Sequence, residues 1–258
     1  MLHVSELTKR YGRLVALDEV AFSIRPGEVL GLIGPNGSGK TTLFECVAGV
    51  LPADRGRVEY DGRAIAPADR SSVLFYLPDA IAPWPSQTVR WALDFTAGFF
   101  AFSVLRSEFS VRTENVRTKN DRTKNSERRT QNVMDLSDRL DLGPLLNMRI
   151  GELSKGQRKR ALLAIGLLMP QPLLLADEPF EGLDLRQSRD VAATLRHYAR
   201  EGRTLFLSIH QIGDAERACD RFVLLSGGRV RGEGTIDELS RVAAKETRDL
   251  EEVFLALT

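Results

Sequence analysis

Short apolar runs recur along the chain, each bounded by glycine, proline or charged residues. Leu2–Leu7 and Val20–Ile24 predict two strands, with Lys9-Arg10-Tyr11-Gly12 as the turn between them. Pro26-Gly27 marks a tight turn into Val29–Ile33, an uninterrupted apolar run that reads as a buried strand, and Thr42–Gly49 reads as the helix that follows. Gly56–Gly62 alternates in hairpin fashion, and Ser72–Leu77 is a further buried strand that Pro78-Asp79 ends. A mostly helical region then extends to about Arg149. Within it, Val89–Leu105 is apolar but carries Arg90 and Asp94 and is short for a bilayer span, so it reads as a packed helix. Arg158–Leu168 predicts a helix whose 161–165 segment is apolar nearly all round, which requires burial. Leu173–Ala176 and Thr204–Ser208 predict buried strands flanking a helix over Leu185–Arg200. Arg221–Leu225 and Gly228–Glu233 read as a closing hairpin, followed by helical stretches at Ile236–Ala244 and Asp249–Leu257. Strands alternating with helices in this way predict an α/β fold.

Composition narrows the class without naming a function. A chain of 258 residues with 43% hydrophobic content is an ordinary globular protein, long enough for one large or two small domains. Its 36 basic and 35 acidic residues leave a net charge of +1, so no global charge argues for a nucleic acid or an anionic membrane as partner. Cys46 and Cys219 form no metal or disulfide pattern and read as buried thiols, and Met1–Glu6 does not resemble a signal peptide. The pattern R-T-x-N recurs at Arg112–Asn115, Arg117–Asn120, Arg122–Asn125 and Arg129–Asn132. It follows neither a helical nor a strand period and offers almost nothing to bury. It reads as a low-complexity surface insertion, and the lack of interleaved aromatics favours a solvated loop over a nucleic-acid contact.

The candidate chemistry lies at strand ends. Gly34-Pro35-Asn36-Gly37-Ser38-Gly39-Lys40-Thr41 matches G-x-x-x-x-G-K-[ST], placed between a strand and a helix. The glycines let backbone N–H groups turn onto a phosphate chain, and the helix N-terminus adds partial positive charge there. Lys40 is expected to reach the β/γ-phosphates and the Thr41 hydroxyl to ligate Mg²⁺. Asp177-Glu178 ends a strand, where one carboxylate would hold Mg²⁺ and the other would polarise an attacking water. His210 ends another strand, where sheet folds place ligands. Tyr11 reads either as a routine turn aromatic or as a flat face for an adenine ring.

Together these residues resemble the nucleotide-binding subunit of ATP-binding-cassette transporters. Leu153-Ser154-Lys155-Gly156-Gln157 is similar to the family signature, with Lys155 where glycine is usual, and Glu181-Gly182-Leu183-Asp184 is similar to its inter-subunit communication loop. The resemblance implies a P-loop NTPase with a RecA-like core, an antiparallel β edge and an inserted helical subdomain at about 79–157. That cassette would occupy 1–235, contain the low-complexity insertion at about 106–132, and be followed by a helical tail at 236–258. It implies ATP and Mg²⁺ as ligands, with Gly34 to Thr42 around the phosphates, Tyr11 at the adenine, Glu178 as base and His210 as the switch histidine. Ser154, Gly156 and Gln157 would complete the site of a second nucleotide-binding subunit, in a homo- or heterodimer. Asp79 stands where the family carries glutamine or glutamate, and could ligate Mg²⁺ or a water. Lys155 would lie beside the γ-phosphate in trans or face solvent. The implied partner is a separate transmembrane permease subunit, which would hold this chain at the cytoplasmic face of the cell membrane. The tail and the Tyr76-Leu77-Pro78 turn lean toward the exporter branch.

Overall fold

The structure, a computed structural model, describes residues 1–79, 81–98, 131–245 and 247–258. All but the last two residues of the R-T-x-N region, and residues 99–105 of the apolar stretch, lie outside them. The described chain forms two compact units, one of Met1–Ala80, Gln171–Phe180 and Asp184–Thr258, the other of Ile81–Pro170 and Glu181–Leu183.

The first unit holds two sheets. One is antiparallel, in the order β2-β1-β4-β5, from β1 (Leu2–Tyr11), β2 (Leu14–Ile24), β4 (Arg55–Tyr60) and β5 (Arg63–Ala64). The other runs β10-β9-β3-β8-β7-β6, with β3 (Val29–Ile33), β6 (Leu74–Leu77), β7 (Leu173–Asp177), β8 (Thr204–Ile209), β9 (Arg221–Ser226) and β10 (Arg229–Gly234). Its neighbours are parallel apart from the β9–β10 hairpin. Every residue of β3, β7 and β8 is buried, which is why these strands read as unbroken apolar runs. A core of Phe22, Phe44, Phe206, Leu30, Leu32 and Val223 joins the two sheets to helix α1 (Lys40–Ala48). Helices α5 (Leu185–Arg200), α6 (Ile212–Ala218), α7 (Ile236–Val242) and α8 (Leu250–Leu257) complete this unit.

The second unit is helical. It contains α2, whose described residues are 89–98, α3 at 131–139, and α4 (Lys155–Leu168). Residues 161–165 of α4 are all buried, as its apolar circumference requires. Arg160 is buried too, and its guanidinium donates to the Leu140 and Asp141 carbonyls at 2.8 and 2.9 Å, closing the end of α3.

Several boundaries differ from those the pattern predicts. The first turn falls at Gly12-Arg13, so Lys9-Arg10-Tyr11 belong to β1 and β2 begins at Leu14. Glu6 and Glu19 take left-handed backbone angles (φ 54° and 53°) where the β1–β2 register shifts. These bulges break the period of two and hide the strands' true length. The helix after the glycine loop starts at Lys40 rather than Thr42, and the one after the Leu153–Gln157 stretch starts at Lys155 rather than Arg158. Residues 67–72 form a 3-10 turn, so the next strand begins only at Leu74.

Candidate functional site

Parallel pairing sets the site. Strands β3, β7 and β8 pair in register, with Ile33 opposite Ile209 and Asp177 opposite Ser208, so their C-terminal ends emerge together. From β3 the chain enters the glycine loop. A Cβ at Gly34 would collide with the Leu225 carbonyl and meet Ser38 Oγ at 2.5 Å, while one at Gly39 (φ 104°) would meet the Ala16 carbonyl at 2.6 Å. The loop is therefore packed from below, and glycine is required at both positions.

Helix α1 starts with Gly39 as its N-cap and no side-chain cap, so its first-turn N–H groups have no partner inside the helix. Lys40 is buried and donates from Nζ to the Gly34 and Pro35 carbonyls at 2.8 and 3.3 Å. Ser38 Oγ is buried without a hydrogen-bond partner. Asn36 and Gly37 are exposed at the tip. A cationic amine, an uncapped helix terminus and an orphaned hydroxyl around one loop make a donor set for an oxyanion chain.

The carboxylates come from β7. Asp177 is buried; its Oδ2 accepts from Thr41 Oγ1 at 2.9 Å and its Oδ1 from Ser208 Oγ at 2.5 Å. Glu178 follows in a left-handed conformation (φ 50°), uncommon for a residue with a side chain, and its N–H donates to the Ser208 carbonyl at 3.1 Å. That backbone turns the carboxylate across the strand ends. Its Oε1 lies 3.8 Å from Lys40 Nζ, and its Oε2 lies 2.5 Å from His210 Nδ1, beyond the end of β8. Thus Lys40, Thr41, Asp177, Glu178 and His210, spread over 170 residues of sequence, converge on one edge.

The residues present fit Mg²⁺. Among the described residues no group of three or more His, Cys, Asp or Glu side chains could enclose a metal. Magnesium does not need such a cage, because it takes one or two protein oxygens and completes its shell with water and substrate phosphate. Thr41 and Asp177 supply that oxygen pair. Asp79 lies on the turn after β6. Tyr76 Oη, buried and without a hydrogen-bond partner, is held above the ordinary phenol range by burial and by the charges of Asp177, Glu45 and Asp79.

Tyr11 ends β1 and is 48% exposed. The Lys9 ammonium sits 5.7 Å from the ring centroid and is itself tied to the Pro52 carbonyl at 2.7 Å and to Asp54 at 3.4 Å. Asp54 also accepts the Arg10 N–H at 2.6 Å, and that bond, then Lys9, holds its carboxyl below the usual range. Sequence reading pointed to neither Lys9 nor Asp54. Ser208 also escaped notice, although its register opposite Asp177 marks it once the strands are paired.

In the helical unit, Ser154 caps α4. Its hydroxyl accepts from the Gln157 N–H at 3.3 Å, and the Gln157 side chain accepts from the Ser154 N–H at 2.9 Å. This capping box fixes the Leu153–Gln157 turn. A Cβ on Gly156 would strike the Gly182 carbonyl, so glycine is obligatory there.

Known proteins resemble this chain along most of its length. A family model described as ABC transporter matches residues 17–181. The chain is 33% identical over 240 residues to the Nod factor export ATP-binding protein I of Rhizobium etli, covering 91% of this chain and 69% of that protein. It is 32% identical over 253 residues to the phosphonates import ATP-binding protein PhnC 2 of Pseudomonas savastanoi, covering 93% and 86%. A solved structure of an ATP-binding subunit of an ABC transporter superposes with a TM-score of 0.81 at 25% identity, covering 100% of this chain and 99% of that one.

Proposed function

The chain belongs to the ABC transporter family, as an ATP-binding subunit and ATPase, and from that premise we propose that it drives a separate membrane-spanning permease by hydrolysing Mg²⁺-ATP between two copies of itself. The observation that carries the reading is the convergence of Lys40, Thr41, Asp177, Glu178 and His210 at the ends of three parallel strands. In this reading Gly34 to Thr42 hold the phosphates with backbone N–H groups, and the Lys40 amine exchanges its loop carbonyls for phosphate oxygens. Thr41 and Asp177 would hold the magnesium, and Asp79 would ligate it or a water. When bound, the metal neutralises phosphate charge.

Glu178 accepts a proton from water as the water oxygen bonds to the γ-phosphorus and the bond to the ADP oxygen breaks. His210, 2.5 Å from Glu178, keeps that carboxylate turned toward the reacting centre. Tyr11 stacks on adenine with its exposed face. The capped Ser154–Gln157 turn opens α4 with its N–H groups and dipole, and supplies Ser154, Gly156 and Gln157 to the γ-phosphate of the facing copy. Both half-sites are encoded in one chain, which favours a homodimer. In this reading the cassette is 1–235, with its helical subdomain at about 79–157, and 236–258 is a tail.

No described helix is long and apolar enough to cross a membrane; in this reading a permease holds the chain at the cytoplasmic face of the cell membrane. Export is the direction we favour, supported by the Nod factor export relative and by the Tyr76-Leu77-Pro78 turn. The phosphonate import relative is nearly as similar, so the turn carries more weight than either relative. Phosphate release tests the site. Lys40→Ala and Glu178→Gln should each lose about a hundredfold or more in kcat, the scale on which a proton-transfer or charge-stabilising group acts. A Glu178→Gln protein that turns over normally would remove Glu178 as base.

A further inference from the structure

Where the family signature usually has glycine, this chain carries Lys155, and the structure assigns its side chain an internal partner. The Lys155 ammonium forms an ion pair with the Glu181 carboxylate, in the segment that follows β7 and Glu178. The stem of Lys155 lies over Gly182, where a Cβ would meet Lys155 Cβ and Cγ at 3.4 Å each. Gly182 is left-handed (φ 79°), and its carbonyl presses on Gly156 so closely that no side chain fits between them. Position 156 must therefore be glycine, whereas position 155 has room for a long side chain that packs across Gly182 and ends on Glu181.

We propose that Lys155 is a positioning residue, a strap that fastens residues 181–183 to the Leu153–Gln157 turn, rather than a ligand for phosphate. The proposal rests on the function given above and specifies how two of its parts are joined. The turn reaches the nucleotide of the facing copy, while Glu181 lies three residues after this copy's own Glu178. The strap thus links the contact made on one ATP to the backbone that carries the base for the other.

Charge exchange tests this. Both side chains are partly exposed, at 54% for Lys155 and 35% for Glu181, so either reversal is compatible with folding and the pair is of surface strength. Lys155→Glu and Glu181→Lys should each lower kcat by about fivefold with KM for ATP within about twofold of the parent. The double exchange should restore kcat to within about twofold, and Lys155→Arg should behave like the parent. A phosphate-binding lysine gives the opposite pattern: Lys155→Glu raises KM, Glu181→Lys leaves turnover unaffected, and the double variant is no better than Lys155→Glu. That result overturns the proposal. Carrying Glu178→Gln in parallel separates the two levels. If it forms ATP-dependent dimers while the exchange fails to rescue, the strap alone is wrong; if it forms none, the function beneath the strap is wrong as well.

Discussion

Arg70 sets the far end of the phosphate-loop helix, and its removal tests how firmly that helix is held. Helix α1 is only nine residues long, has no basic residue in its last turn, and ends at Gly49 (φ 80°). From the 3-10 turn at Pro67–Ser72, the buried Arg70 guanidinium donates to the Cys46 carbonyl at 2.5 Å and the Val47 carbonyl at 3.3 Å. It satisfies terminal carbonyls and places a cation at the negative end of the helix dipole. Burial lowers its pKa from the ordinary guanidinium value, with Cys46 opposing that shift. A hydrogen bond from a charged donor contributes about 1.5–3 kcal/mol. Replacing Arg70 with methionine forfeits that but no longer buries a charge. The expected net loss is about 2 kcal/mol, or about 4–8 °C in Tm for a chain of this size. Because the same helix begins at Lys40 and Thr41, KM for ATP should rise by about two- to fivefold, with kcat less affected. Thermal unfolding of Arg70→Met and Arg70→Lys, with and without ATP, gives both quantities. Lysine should recover only part of the loss, since it lacks the planar fork. A methionine variant that melts within about 1 °C of the parent would show that these carbonyls do not need Arg70.

Two further outcomes follow from individual side chains. Tyr11→Ala should weaken ATP binding by about tenfold, the scale of one base–aromatic stack, while Tyr11→Phe should stay near the parent; equal losses in both, measured by fluorescent-nucleotide titration, would point to the hydroxyl instead. Burial pushes the Cys46 thiol up from 9.0 to about 11 and raises Cys219 further. Both should resist a thiol reagent at pH 8 in the native protein and react on unfolding. A thiol raised on folding contributes stability that is fully present below its unfolded value and is lost as pH climbs through its folded one, so an alkaline melting series should fall between about 9 and about 11 and fall less steeply in Cys46→Ala, where Cys219 still contributes.

The glycine loop and the Asp177-Glu178 strand end were legible because their chemistry is local. A fixed spacing of glycines, lysine and threonine carries its own geometry, and a buried parallel strand is apolar throughout. What stayed hidden depends on contacts distant in sequence. Arg70 reaches carbonyls 23 and 24 residues away. Arg221, paired with Glu28 and Glu233 inside the first unit, reaches back 193 residues. The length of β1 was concealed by the bulges at Glu6 and Glu19, and the polar Lys9-Arg10 segment imitates a turn until Pro52 and Asp54 are seen to receive it. Helix α6 spans seven residues without a side-chain cap, too short to impose a period. The left-handed Glu178 also leaves no trace in composition, since nothing in a glutamate announces the backbone that turns it.

In the proposed reading ATP joins two copies of this chain, the Leu153–Gln157 turn of each completing the phosphate site of the other. Light scattering of the Glu178→Gln protein measures it most directly. The mass should double on adding Mg²⁺-ATP, stay single with ADP, and return to single when Ser154 is also replaced by arginine. A protein that binds ATP stoichiometrically yet remains a monomer at every concentration would contradict the account.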